Sequence, residues 1–217
     1  MSAEVKQFAL WGSAGHAVVL ADVISLTGNR VVALFDNKDV ASVLPGVLVY
    51  KGEIGFRHWA ESRGSSIKGF AGLAAIGGGR GFDRIAIHKL YREYGLAVPV
   101  LIHPSAVVSQ GALIGDGSQI LALANVAAGV KLGEACIINH NASVDHECHL
   151  GDGVHLAPSA TLCGCVTVGD NVFIGAGAIV LPRLNIGHGS TIGAGSVVTR
   201  DVPSGVTVVG NPAKSLN

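Results

Sequence analysis

The second half of the chain repeats an aliphatic residue at every sixth position, without insertion or slip. Every sixth residue from Val108 to Val198 is Val, Ile or Leu. A second row, two residues earlier, runs from Ala106 to Ser196 and holds small or medium-sized residues, with Leu184 as the exception. Two inward positions separated by one outward residue indicate a short strand. Each hexapeptide therefore predicts one face and one corner of a solenoid, and three hexapeptides close one triangular coil.

The residues that follow each large aliphatic predict how the corners are made. A glycine followed by a polar or small residue recurs there, as in Gly115-Asp116 and Gly169-Asp170. We expect this pair to turn the corner, because glycine supplies backbone freedom and Asp tolerates left-handed geometry. The narrow prism also explains why Phe173 is the only aromatic residue after position 95.

The first half of the chain alternates predicted strands and helices. Strands are predicted at residues 8–11, 31–35 and 67–76, and helices at residues 17–26, 51–63 and 82–94. This order predicts a Rossmann-like α/β domain, whose parallel sheet binds ligands at the carboxyl ends of its strands. We place that domain at residues 1–102, and a parallel β-helix domain with a C-terminal tail at residues 103–217.

Composition and charge exclude several classes of protein. An apolar share of 49% with zero formal net charge is sufficient for a packed core and excludes disorder. The 15 basic residues balance 15 acidic ones, which disfavours electrostatic nucleic-acid binding. No stretch approaches the roughly 20 apolar residues of a membrane-spanning helix. The N-terminus lacks the pattern of a secretory signal, so we expect a cytoplasmic protein.

Three positions of the first half indicate a nucleotide site. Residues 12–16 open a helix after the first strand, where backbone N–H groups favour a phosphate; an ordinary βα turn is the alternative. Asp36 follows about 20 residues later, at the end of the next strand, where a carboxylate commonly meets a ribose hydroxyl. Gly77 would let the backbone approach a ligand. No P-loop is present to indicate ATP hydrolysis.

The corner Asp145-His146-Glu147 is the densest charge cluster of the repeat region. A carboxylate beside an imidazole raises its basicity and fixes its tautomer, which suits a general base; a solvated polar corner is the alternative. Gly164 lies one full coil later and should stack on His146 at about 4.8 Å. Its N–H could bind an oxyanion. His155 also points outward, and an exposed strand histidine is the alternative there.

Nine histidines raise the question of a metal. His140 and His146 are one hexapeptide apart, as are His149 and His155, so each pair lies on adjacent faces. We therefore expect no metal site. The alternative is ligation across a subunit interface, as in the carbonic anhydrases built on this type of solenoid.

Two of the cysteines are interpreted as packing residues, and the other two show no redox motif. Cys136 and Cys148 occupy small inward positions. Cys163 and Cys165 flank Gly164 in a CxC pattern that is too short for a thioredoxin motif. Without an export signal, we expect no disulfides.

Several features occur together in the order of a known family. They are Gly12-Ser13-Ala14-Gly15-His16, Phe35-Asp36-Asn37, Ile76-Gly77, the hexapeptides, Val144-Asp145-His146-Glu147-Cys148 and Gly210-Asn211-Pro212-Ala213-Lys214. The chain thereby resembles the PglD/NeuD group of sugar acetyltransferases, bacterial enzymes of glycan biosynthesis, over nearly its whole length. The resemblance implies a left-handed β-helix. It also implies acetyl-CoA as co-substrate and acetylation of the 4-amino group of a nucleotide-linked dideoxy sugar.

The resemblance also implies roles for individual residues. His146 would be the general base, Glu147 would increase its basicity, and Gly164 would supply the oxyanion amide. His155 would contact acetyl-CoA near the thioester, and Ala176 and Ala194 would line the pantetheine groove. The nucleotide-sugar would be held by Ala14, Gly15, His16, Asp36, Asn37 and Gly77.

Two positions depart from the family pattern, both where the nucleotide should bind. Asn37 replaces the second Asp of a common Asp-Asp pair, and residues 77–80, Gly-Gly-Gly-Arg, depart from a common Gly-Asn pattern. Arg80 could reach the diphosphate, or it could be an exposed arginine at a helix start.

The predicted mechanism is direct transfer, with Cys163 as an acyl nucleophile in the alternative. The resemblance implies a homotrimer with acetyl-CoA between adjacent prisms, and the flat, weakly charged faces of a slim prism supply a physical motive. The competing functions are O-acetylation of sialic acid or another sugar, a metal-dependent hydratase, and a non-catalytic scaffold that binds nucleotide-sugars.

Overall fold

The computed structural model describes residues 6–216. The chain forms two compact units. The first unit comprises the residues up to Ile76 together with Ala86–Pro99, and the second comprises Gly77–Ile85 together with the residues from Val100 onward.

The first unit contains a four-stranded parallel sheet in the order β3-β2-β1-β4. Its strands are β1 Gln7–Trp11, β2 Arg30–Asp36, β3 Val49–Lys51 and β4 Phe70–Ala74. The helical segments are α1 Gly15–Leu26, α2 Gly52–Glu61, a 3-10 helix at Gly64–Gly69, and α3 Gly81–Glu93, of which the residues from Ala86 onward belong to this unit. The predicted parallel sheet is confirmed.

Aromatic side chains fill the core of the first unit. The ring of Phe35 on β2 lies 5.7 Å from Trp11 on β1 and 5.2 Å from Phe56 on α2, centroid to centroid. Phe56 in turn lies 5.3 Å from Tyr91. The Tyr91 ring occupies the space next to Gly72 on β4, where a Cβ would overlap it. Burial of these large rings contributes to the hydrophobic stabilisation of the sheet.

Two sequence predictions for this unit were wrong in detail. The segment at residues 67–69 was predicted as strand, but it ends the 3-10 helix, and β4 begins only at Phe70. Strand β3 was not predicted, because its three residues are at most half-buried and show no alternation. A strand of three residues is too short for period-two patterning to identify it.

The second unit contains a left-handed parallel β-helix with three faces, as predicted. The first face is made by Leu101–Ile102, Gln119–Ile120, Ile137–Ile138, His155–Leu156, Phe173–Ile174, Thr191–Ile192, Thr207–Val209 and Lys214–Ser215. The second face is made by Val107–Val108, Asn125–Val126, Ser143–Val144, Thr161–Leu162, Ile179–Val180 and Val197–Val198. The third face is made by Leu113–Ile114, Lys131–Leu132, His149–Leu150, Thr167–Val168 and Asn185–Ile186.

The strands of each face pair in parallel with the strand one coil away, for example Ser143 with Thr161 and Val144 with Leu162. The second residue of each strand points inward and is the repeating aliphatic, so Val144 and Leu162 are fully buried. Cys136 and Cys148 lie in the same core, which confirms their interpretation as packing residues. The final strand, Lys214–Ser215, runs antiparallel to Thr207–Val209 and ends the first face.

The corners differ from the sequence expectation. In the turns after Ile114 through Ile192, the left-handed residue is the third after the aliphatic, as at Gly117, Glu147 and Cys165, and is often not glycine. The glycine directly after the aliphatic has no left-handed φ. It is required for another reason: a Cβ on Gly115 would lie 2.5 Å from the carbonyl carbon of Gly133 on the next coil. Close stacking of coils, rather than backbone freedom, therefore explains this repeated glycine.

Within residues 6–216, no helix combines the length and apolar character needed to cross a membrane.

Candidate active site

The corner after Ser143–Val144 carries an imidazole paired with a carboxylate. His146 Nδ1 lies 3.3 Å from Glu147 Oε1, and their side chains are 53% and 71% exposed. Glu147 has a φ of 58°, so the turn directs its side chain back toward its neighbour. The Asp145 carboxylate instead accepts the His146 backbone N–H at 2.7 Å. Because Nδ1 faces Glu147, Nε2 is the ring atom available to accept a proton.

Gly164 packs against this imidazole from the next coil, which confirms the predicted stacking. The Cys165 N–H donates to the His146 carbonyl at 2.9 Å and sets the two coils in register. A Cβ on Gly164 would overlap His146 Nε2 and lie 2.7 Å from Cε1. Among residues 6–216, the Gly164 N–H has no acceptor. The imidazole therefore lies beside a backbone donor that is left for a ligand.

The thiols beside Gly164 are poorly suited to nucleophilic catalysis. Burial, and secondarily the Asp145 carboxylate, raise the pKa of the Cys163 thiol. Burial also raises the pKa of Cys148 to about 11 and that of Cys136 to about 12. A nucleophilic cysteine needs a lowered pKa, because the thiolate is the reactive form. The geometry thus gives no support to an acyl-cysteine.

The same corner holds one group of potential metal ligands. One ligand atom from each of His146, Glu147 and Cys165 lies within 4.8 Å of the others. Imidazole, carboxylate and thiolate are a combination that zinc accepts. The expectation that the protein needs no metal therefore remains a prediction.

His155 points outward from the first face, as predicted, but it is only 5% exposed. Its Nδ1 accepts the Gly78 N–H at 2.9 Å, and the Asn139 side-chain amide lies 3.1 Å from Nε2. The Phe173 ring meets the imidazole edge-on, with centroids 5.2 Å apart. The alternative of an exposed strand histidine was therefore wrong, while contact with acetyl-CoA remains a prediction.

The segment Gly77–Ile85 lies on the same face of the solenoid. The Asn171 side chain accepts the N–H groups of Gly81 at 2.6 Å and Phe82 at 3.3 Å, and so caps the start of α3. A Cβ on Gly77 would lie 3.7 Å from His155 Cε1. Arg80 Nε binds Asp83 Oδ2 at 2.6 Å and is exposed, the arrangement expected for an ordinary arginine at a helix start.

Sequence reasoning did not identify two side chains that hold the segment Gly77–Ile85, Asn171 and the buried Arg84. Asn171 occupies the left-handed turn position, with a φ of 54°. Its place directly after Asp170 was the only signal, and that pattern is common to polar corners. Arg84 carried no signal, because an arginine in a helix is usually exposed.

Ala176 and Ala194 stack one coil apart at an exposed corner. The Gly195 N–H donates to the Ala176 carbonyl at 2.8 Å and fixes their spacing. Among residues 6–216, the N–H groups of Ala176 and Ala194 have no acceptor. Such a ladder can bind the amides of an extended ligand, but its role in holding pantetheine remains a prediction.

In the first unit, Asp36 is held at the end of β2 by backbone donors. Ser13 N donates to Oδ2 and Lys38 N donates to Oδ1, each at 2.9 Å. Gly12 connects the two strands, because its N–H donates to the Phe35 carbonyl at 2.7 Å. The turn of residues 12–16 and the end of β2 are thus hydrogen-bonded to each other at one edge of the sheet.

The start of α1 is exposed and lacks a side-chain cap. Ala14 occupies the N-cap position and makes no side-chain cap, and both Ala14 and Gly15 are exposed. His16 is half-buried in the first turn, and Asn37 is exposed after β2. An uncapped, exposed helix start favours an anion such as a phosphate. Nucleotide binding by these residues remains a prediction.

Comparison with known proteins places the chain among transferases. The family model described as bacterial transferase hexapeptide (six repeats) matches residues 165–200. A search of curated proteins finds no significant match.

Solved structures match over the whole chain. The acetyltransferase domain of PglB from Neisseria gonorrhoeae FA1090, in complex with acetyl coenzyme A, is 36% identical with a TM-score of 0.87, covering 98% of this chain and 100% of that one. PerB from Caulobacter crescentus, in complex with CoA and GDP-perosamine, is 34% identical with a TM-score of 0.88, and both chains are covered completely. WeeI from Acinetobacter baumannii AYE is 26% identical with a TM-score of 0.86, covering 98% of this chain and 100% of that one.

The coil architecture, the family model and the matched structures define a hexapeptide-repeat acyltransferase. With relatives above 30% identity along its full length, the chain belongs to the PglD/NeuD-type family of sugar acetyltransferases.

Proposed function

We propose that the protein transfers the acetyl group of acetyl-CoA to the 4-amino group of a nucleotide-linked amino-dideoxy sugar. The observation that carries this proposal is the His146–Glu147 pair stacked on a backbone N–H of Gly164 that has no acceptor among residues 6–216. The ligands bound by the PglB domain and by PerB, acetyl-CoA and a GDP-linked amino sugar, supply the substrate classes.

The geometry supports direct transfer. The sugar amine attacks the thioester carbonyl carbon while His146 Nε2 accepts its proton, and Glu147 stabilises the imidazolium through Nδ1. The Gly164 N–H stabilises the negative charge of the tetrahedral intermediate. The C–S bond then breaks, and the proton held by His146 neutralises the departing CoA thiolate. The raised pKa of Cys163 favours this route over a covalent acyl-enzyme.

Substrate binding is assigned to two groups of residues. The nucleotide-sugar would be held by Ala14, Gly15, His16, Asp36, Asn37 and Gly77. Acetyl-CoA would contact His155 near the thioester and extend along Ala176 and Ala194. The uncapped, exposed start of α1 and the exposed alanine ladder support these assignments.

We infer a homotrimer in which acetyl-CoA lies between adjacent prisms. The outward row of the second face carries no charge, and within it Val107 is 66% exposed and Ile179 is 39% exposed. An uncharged row with exposed aliphatic side chains favours association with further copies. A monomeric mass by light scattering would contradict the trimer. A cytoplasmic location remains a prediction.

The reaction is tested by acetyl-CoA-dependent thiol release with UDP- and dTDP-linked 4-amino sugars, GDP-perosamine and free sialic acid. Release with one nucleotide-linked amine is the expected result. Release with sialic acid alone would assign the protein to O-acetylation. It would also show that the predicted nucleotide site of the first unit is wrong. No thiol release with any acceptor, together with stoichiometric metal in the purified protein, would favour a metal-dependent hydratase with a centre at His146, Glu147 and Cys165.

Replacement of His146 by Ala provides the mechanistic control. A positioned general base contributes roughly 10²–10⁴ to the rate, so kcat should fall by that factor while acetyl-CoA binding persists. Perosamine N-acetyltransferase variants with one histidine replaced by Asn or Ala still hold CoA and GDP-perosamine. An unchanged kcat in H146A would eliminate His146 as the base.

A further inference from the structure

We propose that Arg84 is a positioning residue that fixes the peptide groups of Gly78 and thereby the orientation of His155. The inference rests on the proposed function for its kinetic consequences, because Gly77 and His155 are predicted substrate contacts. Its structural part concerns the second unit alone and does not depend on which sugar is acetylated.

Arg84 is fully buried, with an exposed fraction of 0%. Its Nε donates to the Ala135 carbonyl at 2.9 Å, one Nη to the Gly153 carbonyl at 2.7 Å and the other Nη to the Gly78 carbonyl at 3.3 Å. The planar guanidinium thus connects two corners of the solenoid to the segment Gly77–Ile85. Only a rigid fork with several donors can reach carbonyls in three directions.

The Gly78 residue is held from both sides. Its carbonyl accepts from Arg84, and its N–H donates to His155 Nδ1 at 2.9 Å. Its φ of 72° lies in the left-handed region, so the peptide groups before and after it point in different directions. Release of the carbonyl would therefore allow the N–H to rotate away from the imidazole.

Both ring nitrogens of His155 have polar neighbours. Nδ1 lies 2.9 Å from the Gly78 nitrogen and 3.4 Å from the Gly78 carbonyl oxygen, so both polar groups of Gly78 face it. Nε2 lies 3.1 Å from the Asn139 amide nitrogen, and the oxygen of that amide accepts the His140 N–H. The fixed loop thereby holds the imidazole in one orientation, at a position where acetyl-CoA contact is predicted.

A lysine at position 84 separates charge from geometry. Burial lowers the pKa of Arg84 to about 10, so the side chain remains a cation at neutral pH. Lysine retains a positive charge but offers a single nitrogen, which cannot reach all three carbonyls. Arg84→Lys therefore removes hydrogen bonds to the Ala135, Gly153 and Gly78 carbonyls while the side chain keeps its positive charge.

The kinetic test measures KM and kcat of R84K with acetyl-CoA and whichever nucleotide-linked 4-amino sugar of the panel supports thiol release. We expect KM for both substrates to rise about tenfold while kcat stays within about threefold, because the substrates are held less well but the His146 corner is intact. The matched control is Arg92→Lys, the same substitution at an exposed position of the same helix. It should keep both KM values.

A spectroscopic test needs no substrate. Long-range ¹⁵N–¹H correlation of the imidazoles, with the His155 signal assigned by loss in His155→Gln, should show a single His155 tautomer in the wild type and a mixture of tautomers in R84K. If R84K fails to fold, Gly78→Ala takes its place, because it leaves Arg84 intact but strains the left-handed residue between the two contacts.

The outcomes separate the two proposals. Wild-type KM values together with a wild-type His155 signal in folded R84K overturn the positioning role. A loss of kcat alone with an unchanged tautomer also overturns it. If no amino sugar supports thiol release by the wild type, the proposed function fails, and the tautomer measurement still decides the role of Arg84.

Discussion

A turn glycine beside the parallel sheet and the stacked glycines of the solenoid are required for different reasons. In the first unit, Gly12 has a φ of 119°, and a Cβ there would lie 2.5 Å from the Ala75 carbonyl oxygen, where two loops at the strand ends meet. In the solenoid, Gly115 and Gly164 have ordinary φ values but face the coil one turn away. Glycine thus permits a single turn in the sheet and a repeated spacing in the solenoid. Substitutions in the solenoid should therefore act on the neighbouring coil.

Among the glycines of the solenoid, the largest effect on activity is expected at Gly164. In Gly164→Ala the new Cβ overlaps His146 Nε2, so the imidazole must move. A displacement of about 1 Å at a reacting group costs on the order of 10² in rate, and kcat should fall by that factor. Gly111→Ala is the control, because a Cβ on Gly111 meets nothing within 4 Å. Equal kcat values in the two variants would remove Gly164 from the site.

The next effect concerns stability and compares two glycines of neighbouring hexapeptides. Gly115→Ala places a Cβ 2.6 Å from Glu134 N on the next coil, and overpacking of this kind costs about 1–3 kcal/mol. Gly111→Ala should leave the free energy of unfolding unchanged or raise it by up to about 1 kcal/mol. Denaturant unfolding measures both values. If G115A is as stable as G111A, coil stacking does not explain the glycine.

A smaller effect should separate the two units by substrate. Asp36→Ala removes the acceptor for Ser13 N and Lys38 N and should raise KM for the nucleotide-sugar about tenfold, with KM for acetyl-CoA unchanged. Asp39→Ala, at an exposed neighbouring position, is the control. A parallel rise of both KM values would mean that Asp36 supports the fold rather than the sugar site.

The smallest effect is expected at Cys163. Because burial and Asp145 raise its thiol pKa, little thiolate exists at neutral pH, and Cys163→Ser should keep kcat within about twofold. Steady-state kinetics measures this, and mass spectrometry after mixing with acetyl-CoA should detect no acetylated protein. An acetyl adduct that disappears in C163S would reverse the assignment of direct transfer.

The success of sequence reasoning differed between the two units. In the solenoid, the six-residue spacing predicted every strand from Val107–Val108 to Val197–Val198 and the contact of His146 with Gly164. In the first unit, the alternation of strand and helix patterns predicted the order of the elements along the chain. It missed β3 and the start of β4. A repeat averages many equivalent positions, whereas a single short strand offers only a few residues to analyse.

Within the candidate active site, sequence reasoning found the residues that are adjacent in the chain and missed those that meet over long sequence separations. The His146–Glu147 pair is local, since its members are adjacent in the chain. Arg84 and Asn171 act across long sequence separations, reaching Gly153 and Gly81 respectively, and no local pattern identifies them. His155 was predicted to face outward, but its burial depended on the segment around Gly78.

The sequence by itself determined the solenoid, its inward rows and the corner that carries His146, because a fixed period converts residue spacing directly into spatial neighbours. Only the tertiary structure decided which outward residues are covered, which carbonyls Arg84 binds and which ring nitrogen of His155 accepts a hydrogen bond. These properties depend on contacts between segments far apart in the chain, and such contacts follow from packing and hydrogen-bond geometry rather than from local periodicity.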